Sequence, residues 1–182
     1  MKPLLILDLD ETLIYSSLEK LPDTEQLQHI IWNKYFIHQR PFLNKFLHRI
    51  KDYYKLAVWT SAGDEYAAKI IGFTGLQNLS LEFIWTRKRC TLKREPETGT
   101  SYYLKNLKKV FKLGYLKEKV LIVDDTPENL NQQYGNYIRI LPFQGDKNDR
   151  DLLKLLNYLI RISDEENFRK IEKRGWEHNI TE

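Results

Sequence analysis

A chain of 182 residues, 42% hydrophobic and 30% charged, is long enough to bury a sizeable core as one domain and too apolar to be wholly disordered. Its 29 basic and 25 acidic side chains leave a net charge of +4, which permits an anionic substrate without demanding a nucleic acid. No run approaches a membrane span, and the first apolar run is cut at Asp8, which argues against a secretory segment; the expectation is a monomer in the cytoplasm, or in the nucleus of a eukaryote.

The four residues Leu4, Leu5, Ile6 and Leu7 read as a fully buried strand. It stops at Asp8-Leu9-Asp10-Glu11-Thr12, where the extended chain turns Asp8 and Asp10 to one side and Leu9 to the other. Two carboxylates that close need a shared proton or a cation, and a hard divalent ion such as Mg²⁺ suits oxygen ligands and a substrate phosphate. An Asp is also a competent nucleophile toward phosphorus, and a second Asp can protonate the leaving oxygen. Thr12 is expected to steady the turn by a local hydrogen bond.

Residues 14–23 read as a loop, and residues 27–32 and 35–39 as a hairpin joined at Asn33-Lys34, with Trp32, Tyr35 and Phe36 at its tip. If it overhangs the acidic turn, it offers a peptide an apolar wall. Arg40-Pro41 opens a helix whose buried face is Phe42, Leu43, Phe46, Leu47 and Ile50. Residues 55–59 form a second buried strand ending at Thr60-Ser61, before a helix over 65–71. Thr60 and Ser61 fit a phosphate cradle at a helix start or an ordinary helix cap.

A third strand over 81–85 runs into a basic cluster from Arg87 to Arg94, either a solvated face or a guide for an anion. Cys90 reads as a small buried hydrophobe, and the four histidines lack metal-ligand spacing. After a turn at 97–100 the chain continues through Ser101 to Lys105 into a helix ending near Leu113, Lys105 being either exposed or aimed at a phosphate. Residues 119–123 form a buried strand that also ends in acids, Asp124-Asp125, followed by the helix-start signal Thr126-Pro127. A short strand over 136–141 and a helix over 149–160 complete the expected domain, 1–163, leaving 164–182 as a charged tail or docked helix through Phe168 and Ile171.

Alternating strands and helices imply an α/β, Rossmann-like parallel sheet flanked by helices, with the hairpin as a small insertion and no room for a large cap domain. Ligands then bind beyond the carboxyl ends of the strands, where Asp8/Asp10, Thr60/Ser61 and Asp124/Asp125 gather.

Asp8-x-Asp10-x-Thr12, Thr60, Lys105 and Asp124-Asp125 resemble the four motifs of the haloacid dehalogenase superfamily of aspartate-nucleophile phosphatases. Within it, Arg40-Pro41, Trp59-Thr60-Ser61-Ala62, Tyr103-Leu104-Lys105 and Val123-Asp124-Asp125-Thr126-Pro127 are similar to the branch of small RNA polymerase II C-terminal-domain phosphatases, over roughly residues 3–160. The resemblance implies Asp8 as nucleophile and Asp10 as acid and then base. It implies Mg²⁺ held by Asp8, the Asp10 backbone carbonyl and Asp124, with Asp125 and Thr12 behind them, and Thr60, Ser61 and Lys105 on the substrate. The short hairpin departs from that branch, and the acidic doublet departs from those of its members that carry Asp-Asn. An open site suits a phosphorylated protein carrying phosphoserine or phosphothreonine. The rival readings are a nucleic-acid end phosphatase and a phosphoprotein-binding module without turnover.

Overall fold

The computed structural model describes residues 2–21, 27–95, 97–130 and 133–178. Its first apolar run is β1 (Leu4–Leu7), buried along its whole length. Beyond the acidic turn come β2 (Ile14–Ser17), β3 (His29–Trp32) and β4 (Tyr35–Gln39), an antiparallel sheet in the order β2-β4-β3. The hairpin turns at Asn33, which takes the left-handed conformation (φ 52°) that a tight hairpin turn requires. The loop expected over 14–23 is strand in its first part, because Ile14–Ser17 pairs along the second edge of β4 and so satisfies its backbone there. Pro22 and Asp23, the end of that expected loop, lie outside the described residues.

The helix expected from Arg40-Pro41 begins later, as α1 (Leu43–Ile50), behind a left-handed Phe42 (φ 65°), and it buries Leu43, Phe46, Leu47 and Ile50. Then follow β5 (Lys55–Trp59), α2 (Asp64–Thr74), which ends on left-handed Gly75, and β6 (Leu81–Trp85). The basic stretch enters β7 (Thr91–Arg94), which pairs antiparallel with β8 (Ser101–Leu104). That pairing keeps 101–104 extended, so the expected helix shrinks to the single turn α3 (Lys108–Phe111), and Lys105 leaves a strand rather than entering a helix. The chain ends with β9 (Val120–Asp124), a 3-10 turn at Pro127–Leu130 where a longer helix is expected, β10 (Tyr137–Arg139) and α4 (Asp151–Ile162).

The central sheet is parallel, in the order β10-β9-β1-β5-β6. Alternate residues of β1 serve opposite faces. Leu5 and Leu7 join one core with α1, α2 and α4, while Leu4 and Ile6 join another with Trp59, Trp85, Leu107 and Val110. This two-sided burial explains why the strand sequences are continuous apolar runs rather than alternating ones. Phe168 and Trp176, on 3-10 turns of the C-terminal segment, are buried in the first core, and the Trp176 indole donates to the Arg139 carbonyl at 2.6 Å. Residues 179–182, the end of the expected tail, lie outside the described residues. Among the described residues no helix is long and apolar enough to cross a membrane.

From β1 the chain moves to β5 and β6 on one side, then returns across β1 to β9 and β10 on the other. Strand order therefore reverses between β1 and β9, and the crevice for a ligand opens beyond their carboxyl ends.

Candidate active site

The register pairs Leu7 with both Val58 and Val123, so Asp8 follows at the sheet edge beside Asp124, and its N–H donates to the Val123 carbonyl at 3.1 Å. Directly after it the chain folds back: the N–H groups of Leu13 and Ile14 both donate to the Leu9 carbonyl, and Glu11 sits left-handed (φ 52°). A non-glycine residue in that region costs roughly 1–2 kcal/mol. Two contacts hold the turn in place: the Phe143 N–H on the Glu11 carbonyl at 2.7 Å, and the Arg40 guanidinium on the Thr12 carbonyl at 3.1 Å.

Ligand oxygens of Asp8, Asp124 and Asp125 all lie within 4.8 Å of one another. Lys105, wholly buried, reaches into this group from the end of β8 and donates to Asp8 Oδ1 at 2.5 Å and Asp124 Oδ2 at 2.6 Å. Its backbone is clamped by Gln133, whose amide donates to the Lys105 carbonyl at 3.0 Å and accepts from the Leu107 N–H at 2.5 Å. Asp124 is fixed by the Thr126 N–H on its carboxylate (2.9 Å) and the Tyr137 hydroxyl on its carbonyl (3.0 Å). The Thr12 hydroxyl, expected to bond locally, instead reaches Asp125 at 3.4 Å across 113 residues of sequence.

Asp10 faces a cavity of about 320 Å³ bounded by Ser16, Tyr35, Ser61, Gly63, Tyr66 and Arg87. The Tyr66 hydroxyl donates to its Oδ1 at 2.6 Å. Thr60 is buried at the end of β5, where its hydroxyl accepts the Ala62 N–H at 3.0 Å, a local turn contact and not a helix cap, since α2 starts behind Gly63 with no side-chain cap. Of the basic cluster, Arg87 borders the cavity, its Nε on the Ser61 carbonyl at 2.7 Å and its guanidinium over the Tyr103 ring; Lys88 turns away to Asp64. A larger groove of about 710 Å³ lies elsewhere, against β10 and the C-terminal turns, with Arg139, Leu141, Arg169 and Trp176 on its walls.

Electrostatically the crevice is short of positive charge. Burial pushes the Asp8 carboxyl up, Lys105 opposing this and Asp124 and Asp10 adding to it. Burial likewise raises Asp10, against the Tyr66 hydrogen bond, and raises Asp125 with Asp124 adding. Glu11 rises to about 7 through burial and its neighbours Asp10 and Asp125. Burial opposes the Lys105 ammonium, yet Asp124 and Asp8 outweigh it and keep the lysine firmly protonated. One ammonium among several acids leaves room for a further cation, and the donors on offer are all hard oxygens.

The sequence names the acids and the lysine that gather here, but not several residues that hold them, among them Tyr66, Gln133 and Tyr137. Tyr66 shows as an aromatic in the polar first turn of α2, a signal that was available. Gln133 carries none, because its role is to bond backbone across 28 residues.

A family model for NLI interacting factor-like phosphatases matches residues 3–169. The chain is 30% identical over 91% of its length to CTD small phosphatase-like protein 2 of Dictyostelium discoideum, of which it spans 28%. It is 31% identical over 85% of its length to a CTD phosphatase-like protein of Invertebrate iridescent virus 3, of which it spans 93%. Among solved structures, Fcp1, an essential RNA polymerase II CTD phosphatase, superposes on 90% of this chain and 51% of its own with a TM-score of 0.60 at 17% identity, which supports the fold. With the strand-end acids, the buried lysine and the small insertion sheet all in place, this chain belongs to the NLI interacting factor-like phosphatase family.

Proposed function

We propose that this chain is a Mg²⁺-dependent phosphomonoesterase that works through an aspartyl-phosphate on Asp8, its substrate a protein carrying phosphoserine or phosphothreonine. The observation that carries the reading is the convergence of Asp8, Asp124 and Asp125 within 4.8 Å around the buried Lys105 ammonium. Asp8, the Asp10 backbone carbonyl and Asp124 would hold the metal, with Asp125 beside them. When bound, Mg²⁺ supplies charge neutralisation at the phosphoryl oxygens.

The chain's own groups do the rest. An Asp8 oxygen attacks phosphorus as the bond to the leaving oxygen breaks; that oxygen keeps the electron pair and takes a proton from Asp10. In the second step water attacks phosphorus and gives its proton to Asp10, and the acyl phosphate bond breaks to restore the Asp8 carboxylate. The Lys105 ammonium and the Thr60 hydroxyl bind the transferring group, where charge builds up in the transition state. Ser61 and the start of α2 border the approach. The working domain is taken as 1–163, with 164–182 as a charged segment that docks on it through Phe168 and Trp176.

The substrate class follows from access. Among the described residues, what is inserted between Leu13 and Thr60 ahead of β5 is a three-stranded sheet and one helix, so the cavity stays open to a bulky phosphate. Asp8→Asn should lower turnover of p-nitrophenyl phosphate by roughly 10⁴-fold or more, the scale of losing a covalent nucleophile, while leaving the fold intact. Retained turnover would remove Asp8 from the mechanism. Activity without added Mg²⁺ in chelator would remove the metal, and preference for 3′-phosphorylated oligonucleotides over phosphopeptides would replace the substrate class.

A further inference from the structure

Asp10 is asked to do more than any other group in the crevice, since it must give a proton at one moment and take one at the next. A carboxylate is poorly suited to this unless held, because its terminal torsion is broad and two-fold. Among the described residues one side chain hydrogen-bonds it: Tyr66, whose hydroxyl lies 2.6 Å from Oδ1. The same hydroxyl lies 2.6 Å from Ser16 Oγ. A phenol has a single proton, here given to Asp10, so Ser16 must be the donor to Tyr66. The chain of donors thus runs Ser16 to Tyr66 to Asp10, from β2 through α2 to the turn after β1. The Tyr66 ring is itself steadied by an edge contact with Trp32 on β3, centroids 5.5 Å apart.

We propose that Tyr66 is a positioning residue for Asp10: it holds Oδ1, so that Oδ2 carries the proton that the leaving oxygen receives. The inference rests on the reading above, in which Asp10 is the acid of the first step. As the bond from phosphorus to the leaving oxygen breaks, the electron pair passes to that oxygen and the proton passes to it from Oδ2. The carboxylate left behind accepts a charge-assisted hydrogen bond from Tyr66, stronger than the bond it accepted as an acid. The insertion sheet, through Ser16 and Trp32, thereby takes part in setting the geometry of proton transfer.

The test compares kcat/KM for p-nitrophenyl phosphate, whose leaving group needs no proton, with that for a phosphoserine peptide, whose alkoxide does. Tyr66→Phe should lower the peptide value about tenfold, a part of the 10²–10⁴ that general acid catalysis supplies, and change the p-nitrophenyl value less than about twofold. Adding Tyr66→Phe to Asp10→Asn should cost nothing further on the peptide. Equal losses on both substrates, or full additivity in the double variant, would make Tyr66 a packing residue and overturn the proposal. Should Tyr66→Phe melt below the assay temperature, Ser16→Ala, which removes the donor to Tyr66 and leaves the ring, is measured on the same pair; a loss confined to the peptide supports the proposal, and equal losses or none overturn it. Failure of the unmodified chain to turn over either substrate would instead defeat the phosphatase reading itself.

Discussion

The Lys105 ammonium is wholly buried with a carboxylate on either side, and its protonation is the outcome of two opposed effects. Burial alone lowers its pKa; Asp124 and Asp8 more than reverse that. Lys105→Met should therefore cost about 3–5 kcal/mol, because it leaves two buried acids facing each other without a cation between them. Thermal melts with and without Mg²⁺ check this: the metal should raise the variant's melting temperature by more than it raises the parent's, and equal increments would show that the lysine and the metal do not share the same charge deficit. Lys105→Arg should not restore activity, since a planar fork does not fit a pocket shaped for a compact ammonium. Asp8 and Asp10 are legible in the sequence because a buried run stops abruptly at them. Lys105 is not legible that way. Its place depends on the antiparallel pairing of β7 with β8, whereas the residues alone offer it either as exposed or as aimed at a phosphate from a helix start, and the chain there is a strand end instead. The hydroxyl of Thr12 shows the same limit, since the partner that it chose lies 113 residues away.

In the insertion sheet, β3 and β4 are readable in the sequence and β2 is not. Apolar and aromatic residues around a two-residue turn mark β3 and β4, whereas Tyr15, Ser16 and Ser17 are mixed in character and become strand through pairing with β4. Within β4, His38 is fully buried, and neither ring nitrogen has a hydrogen-bond partner among the described residues. Burial, and next the His29 ring 5.4 Å away, hold it below its ordinary value of 6.5. The unfolded chain takes up this proton near pH 6.5 and the folded chain only at lower pH, so the unfolded state binds more protons in between. This contribution to stability is complete above about pH 6.5 and declines as the pH falls toward the folded-state value. Replacing His38 with Leu should remove that decline. Melting temperatures of the two proteins from pH 8 to 5 are the measurement: the parent should fall relative to the variant on the acid side, and parallel curves would mean that His38 finds a partner for its proton in the folded state.

At the scale of the whole molecule, the sheet was legible because β1, β5 and β9 are short apolar runs whose ends carry the chemistry. One contact that binds the acidic turn to the rest of the fold is announced by no local pattern. Arg40, noted in the sequence as the residue before a proline, is 1% exposed and sends its guanidinium to Asp149 at 2.8 and 3.0 Å, to Asp151 at 3.2 Å and to the Thr12 carbonyl at 3.1 Å. One side chain thereby ties the end of the insertion sheet, the turn that carries Asp8 and Asp10, and the start of α4. The paired forks explain why arginine and not lysine stands there. Arg40→Met should cost about 3–5 kcal/mol, much of it from leaving Asp149 and Asp151 without their cation. Because the Thr12 carbonyl also loses its donor, kcat on an aryl phosphate should fall in a preparation that is still folded, and Arg40→Lys should recover part of the stability but little of the rate. A cycle with Asp149→Ala separates the two roles. The stability losses of Arg40→Met and Asp149→Ala should be strongly non-additive, since they break one pair. The rate loss should follow Arg40 alone; an equal rate loss in Asp149→Ala would place the coupling in the Arg40–Asp149 pair ahead of α4 rather than in the contact with Thr12.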